Sequence, residues 1–152
     1  MDESRSADDR ARELGVPLGP GEPSYLDRCA RVGTMYYTSG HTSATVGTLG
    51  GDLSVAQGRE AALESARRLF ASVFAAHGTL DGLRVVRMLT CVRATPEFTQ
   101  HPEVVNAASD LVHEVFGPIN GHHARSALGF TSLPGGAAVE IEAILEIVAP
   151  SS

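Results

Sequence analysis

The stretch HARSALGFTSLPGGAAVEIEAILEIV, residues 123–148, decides the fold. Ala124 to Ser132 and Ala137 to Val148 both read as extended runs. Leu133-Pro134-Gly135-Gly136 between them has the composition of a turn, so the spacing predicts a β-hairpin. In the second run Ile141, Ala143, Leu145 and Ile147 alternate with Glu140, Glu142, Ile144, Glu146 and Val148. That pattern turns one side toward a core and leaves the other partly acidic.

Upstream, Leu83 to Val92 is β-branched and apolar, short enough for a strand, and closed by Thr95-Pro96. A helix starting near Pro102 carries Val105, Ala108, Leu111, Val112, Val115 and Phe116 on one face and meets stop signals at Gly117-Pro118. The clearest helix opens on the capping-box pattern Ser54 to Gln57 and repeats Ala62, Ala66, Leu69, Phe70, Val73 and Phe74 up to Gly78. Tyr25 to Arg31 and Thr34 to Thr38, split by Val32-Gly33, predict another hairpin, which Ser39-Gly40-His41 ends. Thr42 to Asp52 is rich in Gly, Thr and Ser and reads as a surface loop. Residues 1–21 read as a flexible N-terminal arm with a short helical turn around Asp8 to Leu14. The order is two strands, helix, strand, helix, two strands. It predicts an α+β fold, a mixed sheet with both helices packed on one face. The bare, half-apolar sheet face invites self-association under closed cyclic symmetry.

With 43% hydrophobic and 20% charged residues over 152 positions, the chain suits one globular domain, placed at 22–149. No apolar run reaches ~18 residues, and the chain opens on acids and arginines, so neither a membrane span nor a signal peptide is expected and the compartment is cytoplasmic. Cys29 and Cys91 are too few for a disulfide framework. A net charge of -6 without a basic stripe argues against nucleic-acid partners. All twelve basic residues are arginine, which removes lysine Schiff-base chemistry.

Arg125 and Glu140 stand out chemically. If Leu133 to Gly136 form a hairpin loop, Arg125 lies opposite Ile144 and Glu140 opposite Gly129, and alternation keeps Arg125 and Glu140 on one face. A guanidinium grips a carboxylate with two parallel hydrogen bonds, and a nearby glutamate polarises water or relays a proton. The competing reading is a structural cross-strand pair. His113, His122 and His123 lack a carboxylate or thiol that completes a ligand set, so no metal is expected. Cys91 reads as a small core residue, and Gly47-Thr48-Leu49-Gly50-Gly51 as a floppy loop over a cleft rather than a phosphate loop. Of Tyr36 and Tyr37, one packs in the core and the other meets a cleft or a neighbouring subunit. Glu142 and Glu146 read as a solvated or interfacial acidic face.

The same residues carry a resemblance. The segment from His123 to Ile144, an "ARS" strand, an "LP" turn and a "VEIEAI" strand, looks like the closing signature of the RidA/YjgF family. Thr38-Ser39-Gly40-His41 resembles the family's "TSGQ" strand end. Phe98 to Gly117 resembles its second helix, with Asn106 near the family's helix asparagine. The likeness runs from about Tyr25 to Val148, and FTQHPEVVNAASDLVHEVFG is similar to the branch of unassigned function. The resemblance implies a chorismate-mutase-like protomer in a homotrimer with clefts between neighbouring subunits. It implies that Arg125 holds a ligand carboxylate and that Glu140 activates water or relays a proton. Tyr25, Ser39, Gly40 and Asn106 are implied to line the cleft. Many members carry cysteine two places after the arginine; Ala127 stands there in this chain, leaving its backbone N–H and excluding thiol modification. One extra residue separates Tyr25 from the Gly33 turn, and the gap from Asn106 to Arg125 is longer than usual.

The implied reaction adds water to the imine tautomer of a 2-aminoacrylate-like carboxylate, releasing ammonia and a 2-oxo acid without a cofactor. Two alternatives use the same cleft: a non-catalytic small-carboxylate-binding regulator, and a biosynthetic tailoring enzyme. The family's older ribonuclease label is disfavoured by the acidic balance.

Overall fold

The computed structural model describes residues 4–148. In chain order its elements are α1 (Ala7–Glu13), β1 (Cys29–Val32), β2 (Met35–Thr38), β3 (His41–Thr42), α2 (Val55–His77), β4 (Leu83–Arg93), α3 (His101–Asn120), β5 (Ala124–Phe130) and β6 (Val139–Ile147). A 3-10 turn over Pro134–Gly136 precedes β6.

The long helices begin and end where their sequences direct. The Ser54 side chain accepts from the Gln57 N–H while the Gln57 side chain accepts from the Ser54 N–H, and Gly78 closes α2 in the left-handed region. In α3 the helical path breaks at Gly117 (φ 88°), just before Pro118. The two helices meet through Phe70 and Phe116, ring centroids 5.1 Å apart. Both lie on one sheet face, as the element order predicts. Leu83, Val85, Met88 and Val92 of β4, with Val139, Ile141 and Leu145 of β6, form the buried layer beneath them.

The sheet runs β1-β2-β6-β4-β5, with β3 also pairing β6. β4 and β5 are parallel, joined through α3 as a β-α-β crossover, and β6 runs antiparallel to β2, β3 and β4. The hairpin expected between the last two strands is therefore absent, because β4 lies between β5 and β6. The local pattern was misleading for a physical reason. Gly135 (φ 63°) and Gly136 (φ 75°) supply the backbone of a tight turn, but that turn sits in a connection that crosses the end of β4. Hydrogen bonds from Ala94 N to Phe130 O and from Arg93 N to Ala138 O fasten both ends of the crossing.

Thr42 to Asp52 also departs from its expectation as a surface loop. Leu49 is fully buried, its N–H bonds Arg93 O, and its carbonyl accepts from Thr95 N. Glu64 of α2 takes both the N–H and the hydroxyl of Thr45. Gly58 makes room for Leu49, since a Cβ there would lie 2.6 Å from Leu49 Cδ1. The loop's polar backbone is satisfied by β4 and α2 rather than by water.

The expected flexible arm likewise carries packed structure. Ala7 and Ala11 of α1 and the following Val16 are buried. Asp8 accepts from Leu80 N and from the Thr79 hydroxyl, Asp81 accepts from Ala7 N, and Arg10 Nε donates to Val115 O at 2.9 Å. Residues 1–3 of the arm and position 149 of the expected domain lie outside the described residues.

A buried Leu49 has a measurable consequence. Leu49→Ala is expected to lower stability by about 2–5 kcal/mol, whereas a solvated loop leucine would change it by less than about 0.5 kcal/mol; urea titration followed by circular dichroism distinguishes the two.

Candidate functional site

Edge strand β5 places Arg125 beside Met88, on the face that carries the helices. There Arg125 Nη1 donates to Asn106 Oδ1 at 2.8 Å and to Ser109 Oγ at 3.1 Å, both from α3. Ser109 Oγ lies 3.0 Å from His123 Nε2, and His123 Nδ1 lies 2.6 Å from Gly121 O. A carbonyl oxygen only accepts, so Nδ1 carries the imidazole proton, Nε2 accepts from the Ser109 hydroxyl, and Ser109 Oγ accepts from Arg125. Burial, together with the nearby His113, Arg125 and His122, holds the His123 pKa below its ordinary value against the opposing Gly121 hydrogen bond, which keeps this relay neutral. Among the described residues no carboxylate pairs with Arg125, and its Nε and Nη2 edge is unoccupied. Ala127, beside Thr90, follows Arg125 on the same side of β5.

Glu140 sits on the other face. In β6 it pairs with Cys91 on one side and Thr42 of β3 on the other. Met88 and Cys91 are three residues apart in β4, so their partners Arg125 and Glu140 project to opposite faces. Three residues along and two strands across put their Cα atoms ~14 Å apart. The expectation that Arg125 and Glu140 share a face is thus overturned within one chain, because it rested on the hairpin that does not form.

The Glu140 carboxyl lies against Gly40: a Cβ built on Gly40 would overlap Glu140 Oε1. Burial raises the Glu140 pKa above its ordinary value, and the neighbouring Glu142 raises it further. Cys91 on the same face is pushed up to about 11, first by burial and then by Glu140 and Glu142, which disfavours the reactive thiolate.

Tyr25, Ser39 and Gly40 come together around an open cleft of about 1040 Å³. Its walls are the strap from Pro17 to Cys29, the Ser39–Thr42 corner, and the face of α2 from Arg68 to Ala76. Ser39 ties the strap down, donating its hydroxyl to Asp27 O at 2.8 Å and its N–H to Arg28 O. Tyr25 is fully exposed on that strap. The Gly-rich loop expected to cover a cleft is not part of this one. One chain therefore holds two separate groups: Arg125 with Asn106 and Ala127, and Tyr25 with Ser39, Gly40 and the adjoining Glu140.

Sequence reading missed Ser109, whose position three residues after Asn106 puts both on one side of α3, and His123, considered in the sequence only as a metal ligand. It also missed Ser72, the polar residue among Ala71, Ala75 and Ala76 on α2. Among the described residues no cluster of three or more ligating side chains suits a metal ion, and no helix is long and apolar enough to cross a membrane.

Residues 22–147 match the family described as Endoribonuclease L-PSP. The structure is similar to that of Atu1372, a protein of unknown function from Agrobacterium tumefaciens, with a TM-score of 0.84 and 37% identity over 94% of this chain and 92% of that one. A Yersinia pestis protein of unknown function from the conserved Rid family shares the fold, with a TM-score of 0.56 and 20% identity over 84% of this chain and 92% of that one. Protein TCP17 of Trypanosoma cruzi is 44% identical over 102 residues, covering 66% of this chain and 64% of that protein, so the match spans under two thirds of its length. With the match running from the strap through β6, the chain belongs to the endoribonuclease L-PSP family, that of the RidA/YjgF proteins.

Proposed function

We propose that the protein hydrolyses small enamine or imine carboxylates of the 2-aminoacrylate type to 2-oxo acids and ammonia, at clefts between copies of the chain in a homotrimer. The observation that carries this reading is the Nε/Nη2 edge of Arg125, a charge oriented by neutral partners and with no carboxylate partner among the described residues. Such a fork fits a ligand carboxylate. Tyr37, Leu128 and Phe130 are exposed apolar side chains on the sheet face away from the helices, a surface that a closed ring of copies covers. In that ring the Arg125 of one copy faces the Glu140, Gly40 and Tyr25 of the next.

The chemistry follows from the two halves. Arg125 fixes the carboxylate, Asn106 and Ser109 fix Arg125, and Ala127 contributes only backbone. The Glu140 carboxylate takes a proton from water as its oxygen adds to the imine carbon. Glu140 returns that proton to the imine nitrogen, then takes the hydroxyl proton of the carbinolamine and passes it to the amino group, so that the C–N bond breaks with release of ammonia and the 2-oxo acid remains. Positioning and charge clamping supply the acceleration, and no organic cofactor enters the balance.

Imine generated in situ from an amino acid by an oxidase, with ammonia release as readout, tests the reading. Arg125→Ala and Glu140→Ala are each expected to lower the rate at least ~10-fold. Single-stranded RNA belongs in the same experiment, because the family's description names an endoribonuclease; RNA cleavage lost in Arg125→Ala, with no imine turnover, would replace this reading. Carboxylate binding without turnover would favour the regulator.

Co-expressing Arg125→Ala with Glu140→Ala in equal amounts tests the shared cleft. Random trimers leave about a quarter of the clefts with both intact residues, so about a quarter of wild-type activity should return. No recovery in verified mixed trimers would overturn the shared cleft, because a single chain holds Arg125 and Glu140 on opposite sheet faces.

The raised Glu140 pKa sets a pH limb. As a base Glu140 works deprotonated, so kcat/KM should rise with pH through a midpoint above the ordinary 4.5. Glu142→Gln removes one of the raising causes and should move that limb to lower pH, while a limb unmoved by Glu142→Gln would detach it from Glu140.

A further inference from the structure

A second constellation lies in the wall of the cleft. His41 is 9% exposed and held at three points. Its Nδ1 is 2.8 Å from Ser39 O, its Nε2 is 2.8 Å from Ser72 Oγ, and its carbonyl accepts the Ser65 hydroxyl. Since a carbonyl oxygen only accepts, Nδ1 bears the proton and Nε2 is the acceptor for the Ser72 O–H. A serine in the middle of a helix commonly returns its hydroxyl to the carbonyl one turn back. Ser72 aims at the imidazole instead, and both residues line the cleft. Arg68, one turn earlier on α2, and Arg28 from the strap also line it. Neither forms an ion pair with a carboxylate among the described residues.

We propose that Ser72 is the nucleophile of an acyl-transfer site, with His41 as its general base and the Ser39 carbonyl orienting the imidazole, acting on small esters whose acyl part carries a negative charge. The arrangement meets the geometric requirement for an activated serine: nucleophile and base in hydrogen-bond contact, and the base held by a third group. Burial holds the His41 pKa below its ordinary value, with Arg28 and Arg68 acting the same way against the Ser39 hydrogen bond, so the resting imidazole is neutral and Nε2 presents its lone pair to the Ser72 hydroxyl. The two guanidinium groups supply the attraction for an anionic acyl group and for the oxyanion formed from it.

The step balances with water as the co-reactant. Ser72 Oγ bonds to the ester carbon, its proton passes to His41 Nε2, and the carbonyl electrons move onto oxygen. Collapse breaks the bond to the leaving alkoxide, which takes the proton from His41. Water then attacks the acyl-serine, giving its proton to His41, and Ser72 leaves as the alkoxide and recovers that proton. The net change is ester plus water to acid plus alcohol. This activity is separate from imine hydrolysis, and its test does not depend on that reading.

The full chain is treated with a fluorophosphonate probe, and the adduct is located by peptide mass spectrometry. Hydrolysis of mono-p-nitrophenyl succinate and of p-nitrophenyl acetate is followed in parallel. The expected result is an adduct on Ser72, turnover of both esters with the succinate preferred, and a loss of roughly 100-fold in Ser72→Ala and in His41→Gln. His41→Gln retains hydrogen-bonding capacity but cannot act as the base, so a structural role for His41 would leave labelling intact in that variant. Arg68→Gln should remove the preference for the anionic ester. Wild-type protein without an adduct on Ser72, or a folded His41→Gln that labels and hydrolyses like wild type, overturns the proposal. Should His41→Gln fail to fold by circular dichroism, Ser72→Ala decides: unchanged hydrolysis overturns the proposal and lost hydrolysis supports it.

Discussion

The structure depends on where β6 inserts. Its backbone is paired on both edges, to β2 and β3 on one side and to β4 on the other, so the last strand of the fold is also its middle strand. Central placement buries Val139, Ile141, Ala143 and Leu145 beneath the helices. It also leaves β5 only the outer edge of β4. A strand buried on one face and saturated along both edges is costly to remove, because its apolar side chains and its hydrogen bonds are lost together.

Both candidate groups follow from that placement. At the edge, β5 brings Arg125 against Asn106 and Ser109 of α3, where it is held by neutral acceptors. A guanidinium oriented this way keeps its charge uncompensated, which is unfavourable for an isolated chain and useful for one that meets an anion. In the middle of the sheet, Glu140 presses on Gly40 at the rim of the cleft, where burial and Glu142 favour its protonated form. The cation and the carboxyl thus occupy opposite faces of one sheet. The crowding at Gly40 gives that glycine a steric reason, since any side chain there displaces the carboxyl.

Segments without regular structure are fastened at named points. Glu64 grips Thr45, Leu49 fills the space over Gly58, and Ser39 clips the strap through Asp27 and Arg28. The α1 helix, upstream of the family match at 22–147, is latched by Asp8, Asp81 and Arg10 to the ends of α2 and α3. Short polar clasps of this kind let a Gly-rich and Pro-rich chain satisfy its backbone without long helices or strands.

Read alone, the sequence determined whatever depends on short-range pattern. The 3.6-residue apolar repeat marked α2 and α3, Ser54 and Gln57 marked a helix start, and alternation in β6 separated its core residues from its acidic ones. Arg125, Asn106, Ser39 and Gly40 were also legible, through the ordered motifs that surround them. Tertiary structure alone decided the partner of each strand. Alternation with period two is the same whether β6 pairs with β5 or inserts between β2 and β4, and Pro134-Gly135-Gly136 turns the chain in either case. From that unreadable choice came the separation of Arg125 from Glu140, the anchoring of Arg125 by Ser109 and His123, and the meeting of Ser72 with His41. Each joins residues on different elements, and their contact energy leaves no periodic trace in the chain.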